Sequence, residues 1–218
     1  LWWLYAWLLW IGFNATVLVL YPTVIAPLFN RFEPLKDATL AQRIGALLAR
    51  TGFSSNGVYV MDGSRRSAHG NAYFTGLGRA KRIVFFDTLV ERLQPTEIEA
   101  VLAHELGHFK LRHIAKRMAL SFFTSLVFLA LLGWLADRAW FYTGLGATPA
   151  LDAGNEGLAL MLFMLVVPVF TFVFAPLASR LSRRHEFEAD AFAAQHASAP
   201  DLVSALVKLY EDNAATLT

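Results

Sequence analysis

The sequence His104-Glu105-Leu106-Gly107-His108 combines the residue types of a metal-dependent hydrolase at helical spacing. Residues four apart lie on one face of an α-helix, so His104 and His108 can both direct a ring nitrogen at one zinc ion. Glu105 follows the first histidine and lies beside the metal, where a carboxylate can accept a proton from the attacking water. The motif therefore predicts one zinc ion per chain, with Glu105 as the general base.

A third protein ligand must come from elsewhere in the chain, because catalytic zinc keeps three protein ligands and leaves its fourth position open. The segment Ser182–Ala193 contains three acids that follow a histidine, His185. If the segment is helical, Glu186 and Asp190 share a face, so Glu186 could complete the zinc site and Asp190 could hydrogen-bond a ligand histidine. Glu188 would then point elsewhere as a solvated acid. Spacing alone does not choose between Glu186 and Glu188 as the ligand.

The composition predicts that membrane helices position this site. The 218 residues are 56% hydrophobic with a mean hydropathy of +0.45, which is more apolar than an ordinary soluble domain. Three uncharged runs are each long enough to cross a hydrocarbon layer of about 30 Å. We therefore expect spans at 1–26, 118–136 and 157–178, a polar region at 27–117, a loop at 137–156 and further helices at 179–218. The first run has neither an initiator Met nor a basic beginning, so it is expected to come from a longer protein rather than from a signal peptide.

The distribution of basic residues predicts the orientation of these spans. Fourteen Lys or Arg lie between Arg31 and Arg117 and four follow the third run, whereas the loop from Asp137 to Glu156 carries only Arg138. By the positive-inside rule both polar regions face the cytoplasm, in either a bacterial inner membrane or an endoplasmic reticulum. The net charge of +2 is therefore topogenic and indicates no nucleic-acid partner. The absence of cysteine excludes a thiolate zinc ligand and a cysteine nucleophile.

Short elements fill the polar region before the metal motif. Asp37–Arg50 has the periodicity of an amphipathic helix, which Gly52 would end. Three β-type runs follow, and they predict a small antiparallel sheet: Gly57–Met61, Asn71–Thr75 and Arg82–Asp87.

The metal motif itself is predicted to lie in a long helix. Thr96 and Glu99 have the spacing of a capping box, and no proline follows until Pro149, so the helix is expected to run unbroken into the second span. His113 lies five residues beyond His108, off the ligand face, and is expected to contact a ligand or the membrane interface rather than the metal. The predicted fold is mainly α, a multi-span membrane helical protein with a small antiparallel sheet and a zincin-type active-site helix.

Five segments in the same order resemble the CAAX prenyl protease 1 family, the integral-membrane zinc endopeptidases that process prenylated C-termini. They are Pro27–Leu35, Asn71–Gly76, Lys81–Leu89, the continuation of the metal motif through His113, and Ser182–Ala193. The resemblance implies His104, His108 and Glu186 as zinc ligands, Glu105 as catalytic base and Asp190 as a residue that supports a ligand. The sequence departs from the family pattern in having three spans, where members have about seven, and in having His185, where relatives often have Phe.

The resemblance also implies a place for the substrate. Asn71 and Ala72 correspond to an edge strand that pairs with an extended peptide, and such pairing holds a peptide through main-chain hydrogen bonds. The expected partners are thus a peptide or protein substrate, prenylated or similar, and the lipid bilayer. The expected activity is hydrolysis of a peptide bond near the substrate's C-terminus.

Two other functions remain open at this point. An HtpX-type membrane quality-control protease shares the zinc pattern, although Asn71–Gly76 and Pro27–Leu35 favour the prenyl-protease type. A catalytically silent membrane scaffold would have no need for Glu105, which is not a structural ligand. A transporter is disfavoured because no charged residue interrupts the three spans.

Overall fold

The computed structural model describes residues 1–65, 70–75, 82–150 and 154–215. Three of its helical segments are long and apolar enough to cross a membrane: Trp2–Phe29, His113–Leu135 and Glu156–His196. The chain divides into two compact units, one built from Leu1–Thr16 and Ile114–Arg183 and the other from Val17–His113 and the residues from Arg184 onward.

The chain is mainly helical, as predicted. The helices are α1 (Trp2–Leu20), α2 (Ala26–Phe29), α3 (Ala38–Thr51), α4 (Asp87–Arg92), α5 (Pro95–Lys110), α6 (His113–Leu135), α7 (Ala139–Thr143), α8 (Glu156–Thr171), α9 (Ala175–His196) and α10 (Ala199–Ala215). The strands are β1 (Phe32–Pro34), β2 (Val58–Met61), β3 (Ala72–Thr75) and β4 (Arg82–Phe86). A π-helical turn at Tyr21–Ile25 precedes α2, and a 3₁₀ turn at Phe172–Phe174 separates α8 from α9.

The first unit has a small core and an extensive apolar surface. Tyr142 and Phe163 are buried in its core, and the Trp7 indole N–H donates to the carbonyl of Phe122 at 3.0 Å. Leu165 and Phe170 of α8 are 71% and 69% exposed. Soluble proteins rarely leave such large apolar surfaces uncovered, so lipid contact explains them and the chain is an integral membrane protein.

The sheet in the second unit has the strand order β1-β2-β4-β3 and is mixed, so the prediction of an antiparallel sheet is wrong in part. The pairs β1–β2 and β3–β4 are antiparallel, whereas β2 and β4 are parallel. After β2 the chain forms β3 at the edge of the sheet and then forms β4 between β2 and β3. Because the chain reverses its direction twice, β4 runs in the same direction as β2. β1 was not predicted, because three residues are too few to show an alternating pattern.

Helix α5, which carries the metal motif, begins with a different cap from the predicted one. Pro95 is the first helical residue, and the Glu97 carboxylate accepts a hydrogen bond from the Gln94 N–H at 2.8 Å. The predicted capping box of Thr96 and Glu99 is therefore wrong. Proline suits the first helical position because its missing N–H has no partner there.

Glu99 instead joins α5 to α3. Its carboxylate is buried and receives the guanidinium groups of Arg43 at 2.8 Å and Arg50 at 2.7 Å. The amphipathic helix predicted here is confirmed as α3: the Asp37 side chain caps it by accepting from a backbone N–H, and Gly52 ends it with a φ of 63°.

The expectation that α5 runs unbroken into the second span is wrong. α5 ends at Lys110, and Arg112 has a φ of 57°, in the left-handed region. The N–H groups of Leu111 and Arg112 turn back to the carbonyls of Gly107 and Phe109, so that the last turn closes on itself. A residue other than glycine rarely adopts this conformation without compensation, and no proline or glycine marks the break in the sequence. The turn redirects the chain so that His113 starts α6.

An ion pair between the buried Glu97 and the partly exposed Lys208 joins α10 to α5. The Glu97 carboxylate accepts from the Lys208 ammonium group at 2.7 and 2.8 Å and from the Ser204 hydroxyl at 2.7 Å. Burial on its own raises the pKa of Glu97, but these hydrogen bonds outweigh it and hold that pKa below the ordinary value of 4.5.

Acid is therefore expected to loosen the docking of α10 on α5. Because the folded-state pKa of Glu97 is lowered, its stabilisation is fully present above the unfolded-state pKa and is lost as the pH falls through the folded-state pKa. The thermal unfolding midpoint, followed from about pH 6 to about pH 3, should decline less in Glu97→Gln than in the wild type. Glu33→Gln, which alters an exposed pair with Lys36, is the matched control and should behave as the wild type. Identical acid profiles for Glu97→Gln and the wild type would contradict the assignment.

Candidate metal centre

His104 and His108 lie one turn apart on α5 and point their Nε2 atoms at the same place, 3.1 Å from each other. Glu186, on α9, places its Oε2 atom 3.5 Å from the His104 Nε2 and 3.4 Å from the His108 Nε2. The ligand atoms of these three residues all lie within 4.8 Å of one another. The structure thus brings together two imidazoles and one carboxylate from two helices.

The spacing of these three atoms fits zinc. Ligand atoms at about 2.0–2.1 Å from a tetrahedral zinc lie about 3.3–3.4 Å apart, close to the distances found here. Burial, and next the charge of His104, lowers the pKa of His108 below its ordinary value of 6.5, which favours the neutral imidazole that a metal requires. The two Nε2 atoms face each other 3.1 Å apart, and a cation between them could bind a lone pair from each ring.

Asp190 orients one of the two histidines. Its Oδ1 atom lies 2.8 Å from the His104 Nδ1, so the ring donates that proton to the carboxylate and leaves Nε2 free for a metal. Asp190 lies one helical turn after Glu186 on α9, which puts both carboxylates on the face that meets α5. This is the arrangement that their spacing predicts for a helix.

Gly107 allows α5 and α9 to approach closely enough for this arrangement. A Cβ atom at position 107 would lie 3.0 Å from the Ala189 Cα, 3.2 Å from the Ala189 carbonyl oxygen and 3.1 Å from the Phe192 Cβ. Two of these three atoms belong to the backbone of α9 and cannot turn aside. The glycine therefore sets the distance between the two helices that carry the candidate ligands.

Gly107→Ala is expected to weaken zinc binding by about tenfold, because α9 must move away and take Glu186 with it. Equilibrium zinc affinity, measured by competition with a chelator, checks this. Gly45→Ala is the matched control: it lies inside α3, where a Cβ atom would meet nothing within 4 Å, and it should leave zinc affinity unchanged. Equal affinities for Gly107→Ala and Gly45→Ala would show that the helix spacing is not limiting.

The remaining histidines and the third acid near the site form a second group. His113 is buried with 1% exposure and contacts both His108 and Glu188, while its ring stacks on that of His185 at 4.2 Å. The expectation that His113 contacts a ligand agrees with this geometry. The expectation that Glu188 points away from the metal position agrees with the geometry, but this partly exposed carboxylate is also bound by His113 and by Arg184, which was not expected.

Glu105 follows His104 on α5 and does not belong to the group of three ligand atoms. Burial raises the pKa of the Glu105 carboxyl above its ordinary value of 4.5; the charge of His104 lowers it, and that of Glu186 raises it again. A half-buried carboxyl group next to a candidate metal site has the surroundings of a general base.

Comparison with known proteins identifies the family. A sequence model of peptidase family M48 matches residues 34–217, and a model described as CAAX prenyl protease N-terminal, five membrane helices, matches residues 1–31. The chain belongs to peptidase family M48. The members of this family are zinc metallopeptidases, and the resemblance to the CAAX prenyl protease 1 family is confirmed.

Individual relatives of this M48 chain bear related names. It is 40% identical over 195 residues to the CAAX prenyl protease 1 homolog of Dictyostelium discoideum, which covers 88% of this chain and 45% of the relative. It is 35% identical over 212 residues to the CAAX prenyl protease 1 of Saccharomyces cerevisiae, at 92% and 47% coverage. The crystal structure of S. mikatae Ste24p matches with a TM-score of 0.82 and 34% identity, over 97% of this chain and 52% of that one. The chain spans about half the length of the curated relatives it matches.

The strand β3 of this M48 chain lies at an edge of the described sheet and pairs with β4. The Asn71 carbonyl accepts from the Phe86 N–H, so the backbone groups of the next residue, Ala72, face away from β4. The Asn71 side chain accepts from that outward Ala72 N–H at 2.8 Å. β3 packs on the metal helix, with the rings of Phe74 and Phe109 6.1 Å apart. The role of Asn71 and Ala72 as substrate contacts stays a prediction.

Sequence reasoning missed two features of this site. No role was predicted for Gly107, although a glycine in a helix interior costs about 1 kcal/mol relative to alanine and can therefore signal a close approach of another element. The contact of Glu188 with His113 was missed because it depends on the turn at Arg112. Gly76 and Lys81, at the ends of two family-like segments, lie outside the described residues.

Proposed function

We propose that this chain carries the active site of a membrane-embedded zinc metalloendopeptidase. The observation that carries the proposal is the convergence of the His104 and His108 Nε2 atoms and the Glu186 Oε2 atom at zinc-ligand spacing, in a chain that belongs to peptidase family M48. Three protein ligands leave a fourth position open, which is the pattern of catalytic rather than structural zinc.

The residues around this site suit peptide hydrolysis. Zinc bound at this site would act as a Lewis acid, which polarises a carbonyl group and lowers the pKa of metal-bound water. Glu105, which does not belong to the three converging ligand residues, accepts the proton of the attacking water and passes it to the leaving amine. Asp190 holds the His104 ring with Nε2 directed at the metal position.

The names of the relatives suggest the substrate class. We infer that the chain acts near the C-terminus of prenylated CAAX-type or similar peptides. The names of its Dictyostelium and yeast relatives, CAAX prenyl protease 1 homolog and CAAX prenyl protease 1, support this inference. The outward edge of β3 supports binding of an extended peptide, with Asn71 and Ala72 as its contacts. Ala72 would contribute its outward backbone groups, whereas Asn71 would contribute its side chain, because its carbonyl is bound to the Phe86 N–H.

The charge distribution supports a site on the cytoplasmic side. With spans at 1–26, 118–136 and 157–178, the loop at 137–156 carries a single basic residue, Arg138, and lies outside. The regions at 27–117 and 179–218, which hold the proposed ligands, carry the other basic residues.

Cleavage of matched peptides tests this function. The purified protein should cleave a farnesylated CAAX peptide, a zinc chelator should abolish the cleavage, and added zinc should restore it. Equal cleavage of the unmodified peptide would favour a quality-control protease of broader specificity. If neither peptide is cleaved by zinc-loaded protein, the endopeptidase function is contradicted and a membrane scaffold is favoured.

Peptides with N-methylated amides test the substrate strand separately. Strand pairing uses every second backbone amide of the bound peptide, so methylation should impair cleavage at alternate positions on one side of the scissile bond. The control is the same peptide methylated at the intervening amides, which should be cleaved nearly as well as the parent. A uniform effect along the peptide would argue against pairing with β3.

A further inference from the structure

His113 has both of its ring nitrogens committed to hydrogen bonds in a buried setting. Its Nδ1 lies 3.0 Å from the Nδ1 of His108, and its Nε2 lies 3.0 Å from the Glu188 Oε2. The side chain of His113 is 1% exposed and that of Glu188 is 32% exposed. The two imidazoles and the carboxylate therefore form one chain of hydrogen bonds that begins at a proposed zinc ligand.

The positions of the protons in this series of hydrogen bonds follow from the direction of each ring. The Nε2 of His108 faces the metal position and must be free of a proton, so its Nδ1 carries the proton and donates it. The Nδ1 of His113 must then be the acceptor, which leaves the proton of that ring on Nε2. This proton is directed at the Glu188 carboxylate, which accepts it.

Glu188, at the other end of this series of hydrogen bonds, is also held in place. The Arg184 Nε donates to the Glu188 Oε1 at 2.8 Å, so the two carboxylate oxygens are engaged on different sides. Arg184 and Glu188 are one turn apart on α9, where an ion pair forms without strain. The ring of His185 stacks on that of His113 with an interplanar angle of 12° and fixes its plane.

The turn between α5 and α6 makes this arrangement possible. Had the helix continued past Lys110, a residue five positions after His108 would lie on a different face. The left-handed conformation of Arg112 ends α5 and redirects the chain so that the His113 ring contacts His108. The two ligand histidines are thus supported differently, His104 directly by Asp190 and His108 through an intervening histidine.

We propose that His113 is a positioning residue that, together with Glu188, fixes the orientation and tautomer of His108 for metal binding. This inference rests on the proposed function in that it requires a metal at His104, His108 and Glu186. Partners of ligand histidines at this distance commonly change metal affinity by about 10–100-fold, and we expect a loss of that size when His113 is replaced by phenylalanine.

Two amide variants separate the roles of the two His113 nitrogens. His113→Asn keeps an acceptor near the position of Nδ1 and should retain part of the zinc affinity. His113→Gln reaches the position of Nε2 instead, loses the contact with His108 and should be as weak as His113→Phe. A purely structural role would favour glutamine, which fills more of the buried volume, so the order of the two variants discriminates.

Zinc affinity is measured on the purified protein by chelator competition, with cobalt(II) spectra as a second readout of ligand geometry. Glu188→Ala should weaken zinc binding within the same range as His113→Phe, and Glu188→Gln, which keeps an acceptor, should weaken it less. Glu99→Gln is the matched control: it alters a buried, paired carboxylate of α5, and it should lower the unfolding temperature without altering the affinity of the folded protein.

The outcomes separate this inference from the function on which it rests. If the wild type binds zinc and His113→Phe and Glu188→Ala bind it equally well, the positioning role is wrong and the proposed zinc site stands. If asparagine and glutamine at position 113 give the same affinity, the hydrogen bond to His108 is not the cause of any loss. If the wild type binds no zinc, both proposals fail.

Discussion

Glu105→Gln is expected to lower turnover by about 10²–10⁴-fold while zinc affinity and the unfolding temperature stay at their wild-type values. Glutamine has nearly the same size and shape as glutamate, so the packing of α5 should not change. Its amide cannot accept a proton from water, and that step is the one assigned to Glu105. Zinc should remain bound because Glu105 is not one of the proposed zinc ligands, which are His104, His108 and Glu186.

Single-turnover cleavage of the farnesylated peptide measures this effect, since it follows the chemical step without product release. Glu91→Gln, an exposed glutamate of α4, is the matched control and should cleave at the wild-type rate. A Glu105→Gln protein within a few-fold of the wild type would remove Glu105 from the mechanism. A variant that also loses zinc would instead show that Glu105 helps to hold the metal.

The parts of the site that follow helical spacing could be predicted from the sequence. His104 and His108 lie on one face of a helix because they are four residues apart, and the same holds for Glu186 and Asp190. Once α5 and α9 are placed together, both pairs meet without any further assumption. The amphipathic α3 was predictable for the same reason, since its buried face and its cap are local patterns.

The parts that depend on tertiary contacts could not be predicted. The left-handed Arg112 has no local signal, because glycine or asparagine is the usual residue at such a turn. The place of His113 follows from that turn, so the partner of Glu188 was hidden as well. The parallel pairing of β2 with β4 depends on the order in which strands enter the sheet, which the alternation of residues within each strand does not record.

Glu186→Ala is expected to reduce zinc affinity by more than the roughly 10–100-fold that loss of a supporting contact costs, because it removes a ligand atom. Cleavage should fall with it at zinc concentrations that saturate the wild type. The change should cost little folding stability, since the Glu186 side chain is 51% exposed. Glu211→Ala, an exposed glutamate of α10, is the control and should bind zinc normally.

The comparison with Glu188→Ala decides which acid is the ligand, a choice that spacing left open. The Glu186 carboxylate lies 3.4 and 3.5 Å from the two histidine Nε2 atoms, whereas the Glu188 carboxylate is bound to His113 and Arg184. Zinc affinity should therefore fall most in Glu186→Ala and less in Glu188→Ala. The reverse order would make Glu188 the ligand and Glu186 the supporting acid, and α9 would then have to turn about its axis by roughly two residues, about 200° at 3.6 residues per turn. Such a rotation would also carry Asp190 away from His104. A loss of zinc affinity in Asp190→Ala would therefore exclude the rotation independently.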